Sequence, residues 1–100
     1  MKLTGKCKED FEKWRLLNHK YTESEVSGAA ATIWEYLDES MQYGVYVDFF
    51  DSVGIMISIL TNVDENELFF RIDGYHMGRF DTRQEARTAA IEKANEIYNN

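Results

Sequence analysis

Between Gly54 and Tyr98 the apolar residues change their period, and this change limits what the chain can fold into more than any other feature. Ile55, Ile57 and Ile59 alternate with Met56 and Ser58, while Leu68, Phe70 and Ile72 alternate with Phe69 and Arg71. A period of two places one set of side chains on a core-facing side of a strand. The reading predicts strands over Gly54 to Leu60 and over Glu67 to Asp73, paired antiparallel across a short polar turn from Thr61 to Asn66. Asp73-Gly74 turns the chain again, and Tyr75 to Phe80 is read as a third, edge strand. From Ala86 the spacing lengthens: Ala86, Ala90, Ala94 and Ile97 form a narrow helical stripe that Ile91 and Tyr98 widen. Thr82 and Glu85 have capping-box spacing, in which each side chain satisfies a backbone N–H at the helix start. A helix from Thr82 to about Tyr98 therefore lies close on the sheet, with small side chains at the contact.

Upstream the pattern is helical. Thr4 suits an N-cap, and Cys7, Phe11, Trp14 and Leu17 follow at spacings of four, three and three, which predicts a first helix to about His19 with those residues inward. Lys6, Lys8, Lys13 and Arg15 are expected to fall away from that face. Tyr21 to Gly28 reads as a loop, and Ala30, Ile33, Trp34 and Leu37 predict a second helix from about Ala29 to Ser40. Met41 to Val53 fits both periods: Met41, Val45, Phe49 and Val53 step by four, while Val45, Val47 and Phe49 alternate. The helical spacing is preferred, with Gly54 at the C′ position, although Asp51-Ser52-Val53-Gly54 also suits a hairpin turn. The expected class is α+β: two or three N-terminal helices, a small antiparallel sheet of two to three strands and a C-terminal helix packed on it.

With 100 residues, no proline, no repeat and no low-complexity stretch, the chain reads as a single domain over residues 1–100. One cysteine, Cys7, permits no internal disulfide, and no apolar run has the length of a signal peptide or a membrane span. A cytoplasmic location with no membrane association is expected. The net charge of −7 is unevenly spread. Residues 1–20 hold six bases and three acids, residues 21–66 nine acids and no base, and residues 67–100 six acids and five bases. An acidic middle either keeps a small domain soluble or meets a basic partner.

Candidate chemistry is sparse. Arg83 and Arg87 project onto or beside the apolar stripe of the last helix, where a charge needs a partner. The expected arrangement is an internal ion pair with Asp48 or Asp51; the alternative makes both arginines ligands for an anion. Asp48 and Asp51 share a face if Met41 to Val53 is helical, and paired carboxylates are the raw material of acid–base or metal chemistry. No glycine-rich phosphate loop, H-E-x-x-H or nucleophile elbow accompanies them, so no catalytic residue, metal site or cofactor is assigned. His19 and His76 are read as ordinary surface histidines and Cys7 as a small buried hydrophobe. Tyr43, Tyr46, Tyr75 and Tyr98 exceed what so small a core readily hides, a mild mark of an interface.

Two stretches carry a resemblance. MQYGVYVDFFDSVGI, Met41 to Ile55, and FDTRQEARTAAIEKANEIYN, Phe80 to Asn99, together resemble short proteins encoded in bacterial genomes of the Bacteroides type and in their phages and prophages. The resemblance covers about a third of the chain. It implies a small accessory or mobile-element protein and no particular site residue. Gly74, Gly78, Thr82, Arg83, Arg87, Ala89, Ala90 and Lys93 are also similar to the end of a double-stranded-RNA-binding domain, which closes on a glycine-rich turn and a basic, alanine-rich helix. Such domains are usually basic and carry a Gly-Pro-x-His-type loop, which this chain lacks. Three functions are expected in descending order. The first is a non-enzymatic interaction protein whose acidic middle binds a basic protein partner. The second is a nucleic-acid-binding module using Arg79, Arg83, Arg87 and Lys93, and the third a carboxylate-based metal-dependent hydrolase using Asp48 and Asp51.

Overall fold

The structure, a computed structural model, describes residues 1–18, 34, 37–62 and 67–100. Their elements are α1 (Gly5–Asn18), α2 (Glu39–Ser52), β1 (Ile57–Asn62), β2 (Glu67–Ile72), β3 (Tyr75–Phe80) and α3 (Arg83–Asn99). The α+β class expected from the sequence is the one observed, with α3 packed on a three-stranded antiparallel sheet of order β1-β2-β3. No helix among the described residues is long and apolar enough to cross a membrane.

The ambiguous segment is helical, and both of its ends show why. At the start, the Asp38 side chain accepts a hydrogen bond from the Met41 amide at 2.9 Å, satisfying a donor that has no partner inside the helix. At the end, Gly54 has φ +83°, a left-handed conformation that favours glycine. The Ile55 N–H then reaches the Phe50 carbonyl and the Gly54 N–H reaches that of Asp51, the bond pair of a Schellman motif. Its usual apolar contact is available, because Phe50 and Ile55 are both buried. The hairpin alternative for Asp51 to Gly54 is thus not taken, and β1 begins three residues later than Gly54. Asp38 and Glu39 belong to the start of α2 and not to the end of a preceding helix. The rest of the helix expected from Ala29, the Tyr21 to Gly28 loop, His19 and residues 63–66 of the expected turn lie outside the described residues, Trp34 and Leu37 apart.

The strands pair as their alternation requires. Ile59 faces Phe70 and Ile57 faces Ile72 across β1 and β2, and Phe70 and Ile72 are fully buried beneath α3. Ala86, Ala90 and Ala94 are also fully buried, so small side chains let α3 approach the sheet while Ile91 fills the space beside them. Complete burial of each large side chain here contributes about 1.5–3 kcal/mol. In β3 the register slips by one residue between Leu68 and Phe69, leaving Arg79, at φ +71°, as the extra residue of a bulge.

Helix α1 is fastened to α3 by side-chain amides. The Asn99 Oδ1 accepts from the Cys7 N–H at 2.9 Å and its Nδ2 donates to the Thr4 carbonyl, while Asn95 exchanges hydrogen bonds with the Thr4 amide and hydroxyl. The cap of α1 therefore comes from a distant helix, and the Thr4 hydroxyl expected to provide it accepts from Asn95. Gly5, at φ +59°, keeps this contact possible, because a Cβ there would stand 3.3 Å from the Asn99 Oδ1.

The inward face of α1 differs from expectation in one residue at each edge. Leu17 is exposed, and Arg15 is buried with 8% of its surface accessible. Cys7, Phe11 and Arg15 step by four, and at about 100° per residue each step moves the row by only about 40°. Arg15 thus continues the buried row past Phe11, whereas Leu17 lies roughly 120° away from Phe11 on the same projection.

Candidate functional site

The expected ion pair at the junction of α2 and α3 does not form. Among the described residues the ion pairs are Lys6 with Asp10, Arg79 with Glu67 and Lys93 with Glu96. Arg87 is half-buried and donates to the Ser40 hydroxyl at 3.1 Å, with its guanidinium 5.2 Å from the centre of the Tyr43 ring. A hydroxyl and a π-face replace the carboxylate, and Asp48, Asp51 and Arg83 remain exposed. The charges are still near enough to be felt at one place. Burial pushes the Tyr43 hydroxyl up from its ordinary range, and the fields of Arg87 and Arg83 oppose that rise while Asp51 adds to it. Asp48 and Asp51 lie three apart on α2, and among the described residues no group of three or more histidine, cysteine or acidic side chains is placed to hold a metal ion.

A second site forms where the sequence reading placed none. Phe11 of α1 is the hub of an aromatic cluster, with ring centres 5.4 Å from Trp34, 4.9 Å from Tyr46 and 5.4 Å from Phe49. Beside these rings lies a cavity of about 460 Å³, walled by Phe11, Trp34 and Tyr46 and bordered by Arg15. Its volume falls within the ordinary range of a small-molecule pocket, roughly 300–1,000 Å³. Lys2 and Lys8 also line it, with Glu12 the one acidic residue of its lining among the described residues. A cavity with three cationic side chains is notable in a chain of net charge −7.

The Arg15 guanidinium lies 5.1 Å from the centre of the Trp34 ring. Its Nε and Nη1, which carry three of its five N–H donors, are buried and have no hydrogen-bond partner among the described residues. Tyr46 feels the same charge: burial pushes its hydroxyl up and the Arg15 field partly offsets this, so Tyr46 stays protonated at neutral pH. The sequence signal for Arg15 was its place four residues after Phe11 in the row that starts at Cys7. Charge type argued for the outside, and the row argued for the inside.

Cys7 is buried at the other end of that row, and burial first, then the Asp10 charge, pushes its thiol up to about 12. It is a poor nucleophile in the folded protein. Comparison with protein-family models, with curated proteins and with solved structures finds no match to this chain.

Proposed function

We propose that this chain is a non-enzymatic interaction protein that docks on a basic protein surface through the exposed carboxylates of α2 and its N-cap. The observation that carries the reading is the charge left unneutralised there. Described residues 37–62 contain Asp38, Glu39, Asp48 and Asp51 and no lysine or arginine; all four acids are exposed, and none enters an ion pair among the described residues. Such a surface attracts a cationic partner over several ångströms and speeds encounter. Exposed Met41, Val53 and Met56 flank the acids in sequence and supply apolar contact area once the partner arrives.

The nucleic-acid reading has less support. Arg79 is paired with Glu67, Arg87 is held by Ser40 and Tyr43, and Lys93 is shared between Glu96 and the Tyr75 ring, which leaves Arg83. Binding to an immobilised arginine-rich peptide separates the two readings. Binding is expected to weaken with salt and to fall about tenfold in Asp48→Asn/Asp51→Asn, a loss of roughly 1.4 kcal/mol. Glu92→Gln/Glu96→Gln, with the same change in net charge on α3, should bind as the parent does. Equal losses in both variants would reduce the effect to overall charge and remove the proposed surface. Retention on double-stranded RNA that fades with salt and is lost in Arg83→Gln would favour the nucleic-acid reading instead.

A further inference from the structure

We propose that the cavity bordered by Arg15 is a binding site for a small organic carboxylate with a flat, apolar body. The inference stands apart from the acidic surface of α2 and does not depend on it.

Three observations meet at this cavity. The first is the state of Arg15: a residue that is more than nine-tenths buried, with Nε and Nη1 lacking a hydrogen-bond partner among the described residues and the Trp34 ring face beside its guanidinium. Buried arginines are rarely left so, because each unmet donor costs about 1–3 kcal/mol. A bound anion would remove that cost by drawing the Arg15 donors, through rotation about the outer torsions of the side chain, toward the cavity that Arg15 lines. The second observation is the wall. Phe11, Trp34 and Tyr46 present ring surfaces, which suit a planar apolar body and give little to a sugar or a peptide backbone. The third is the local charge: Lys2 and Lys8 join Arg15 around the opening and outnumber Glu12, so the field at the mouth favours an anion despite the acidic chain. Tyr46, which lines the cavity, keeps its hydroxyl proton at neutral pH. The cationic groups and the one acid named here are all the charged side chains lining the cavity among the described residues.

The probe for this site is 3-phenylpropionate, followed by backbone amide shifts in the full chain, with 3-phenylpropionamide as its uncharged counterpart. The acid is expected to bind with Kd on the order of 1 mM or tighter and to shift the amides around Phe11, Arg15 and Tyr46, with the amide at least about tenfold weaker. Arg15→Met should abolish the difference between the two, Arg15→Lys should keep part of it, and Lys8→Gln should weaken the acid by about twofold to threefold. The proposal is overturned if the acid gives no shifts up to about 20 mM, if acid and amide bind alike in the parent protein, or if Arg15→Met leaves acid binding unchanged. Binding of phenyl phosphate with no response to 3-phenylpropionate would overturn the carboxylate assignment. An internal anion is tested separately: if replacing Glu23, Glu25 and Glu35 together by glutamine destabilises the parent but not the Arg15→Met variant, an acid of the chain itself serves Arg15 and the ligand site falls.

Discussion

The two flanks of α1 treat polar groups in opposite ways. Toward α3, polar groups find partners: the Cys7 and Thr4 amides, the Thr4 hydroxyl and carbonyl and the Asp10 carboxylate are each met by Asn95, Asn99 or Tyr98. Toward the aromatic cavity, Arg15 is buried deeper than any of these side chains except Cys7, and among the described residues its Nε and Nη1 have a ring nearby instead of a hydrogen-bond acceptor. The first flank is a structural seam, satisfied by the chain's own residues. The second is arranged as a site whose satisfaction comes from outside, and the contrast sets the sign expected for each substitution below.

The largest effect should come from the residue both flanks lean on. Phe11 is buried and touches Trp14, Trp34, Tyr46 and Phe49, so Phe11→Ala removes the hub of the aromatic cluster and one wall of the cavity together. A loss of about 3–5 kcal/mol is expected in denaturant unfolding, with the slope of the transition unchanged. A loss below about 1 kcal/mol would mean that the cluster is not part of the cooperative core.

Opposite signs should follow from one change on each flank. Asn99→Ala deletes the acceptor of the Cys7 N–H and the donor to the Thr4 carbonyl, and is expected to cost about 1–2 kcal/mol, the usual worth of a helix cap. Arg15→Met exchanges an unpaired buried guanidinium for an apolar chain of similar length. Relief of the unmet donors gains about 1–3 kcal/mol, and loss of the contact with Trp34 offsets about 1 kcal/mol of that. The balance runs from neutral to a gain of about 2 kcal/mol in ligand-free protein, measured by the same unfolding experiment. Destabilisation by Arg15→Met comparable to that of Asn99→Ala would place Arg15 among the satisfied groups and erase the difference between the flanks.

What the sequence disclosed divides along the same line. The strands, the α3 stripe and the start of α3 were legible because each rests on local rules: alternation, a period near 3.6, and the Thr82–Glu85 box, whose Thr82 hydroxyl accepts from the Glu85 amide at 3.1 Å. The helix over Glu39 to Ser52 was only half legible, because both periods fitted and Gly54 suited a helix end and a hairpin turn alike; the Asp38 cap and the left-handed Gly54 of the fold decide between them. The seam was not legible, because nothing local says that Asn99 caps a helix 92 positions away. The Arg83 and Arg87 expectation failed for a related reason. Projection rightly placed Arg87 beside the stripe, but a half-buried guanidinium accepts a hydroxyl and a ring as readily as a carboxylate, and only the fold determines which is near. Arg15 was missed because residue type was allowed to outweigh position in a row of four-residue steps.

The smallest effect concerns the acid-limb pH dependence that the seam should show and the cavity should not. The Tyr98 hydroxyl donates to Asp10 Oδ2 at 2.5 Å, and Lys6 lies 3.0 Å from the same oxygen. The Tyr98 hydrogen bond first, then the one from Lys6, hold the Asp10 carboxyl below its usual value, while the same bond to Asp10 pushes the Tyr98 hydroxyl up to about 12. For Asp10 the folded value lies below the unfolded one, so its contribution is present above about pH 4 and is lost as pH falls through the depressed value. For Tyr98 the folded value lies above the unfolded one, so its contribution is present below about pH 10 and is lost as pH rises toward 12. Tyr98→Phe removes the common cause and should flatten both limbs of a stability–pH profile, the acid limb more visibly. Cys7, Tyr43 and Tyr46 are all raised as well and keep some alkaline slope in the variant. Arg15→Met should leave the acid limb as it is, since Arg15 faces the cavity and not Asp10. An acid limb that flattens in Arg15→Met and persists in Tyr98→Phe would reverse the roles of the two flanks.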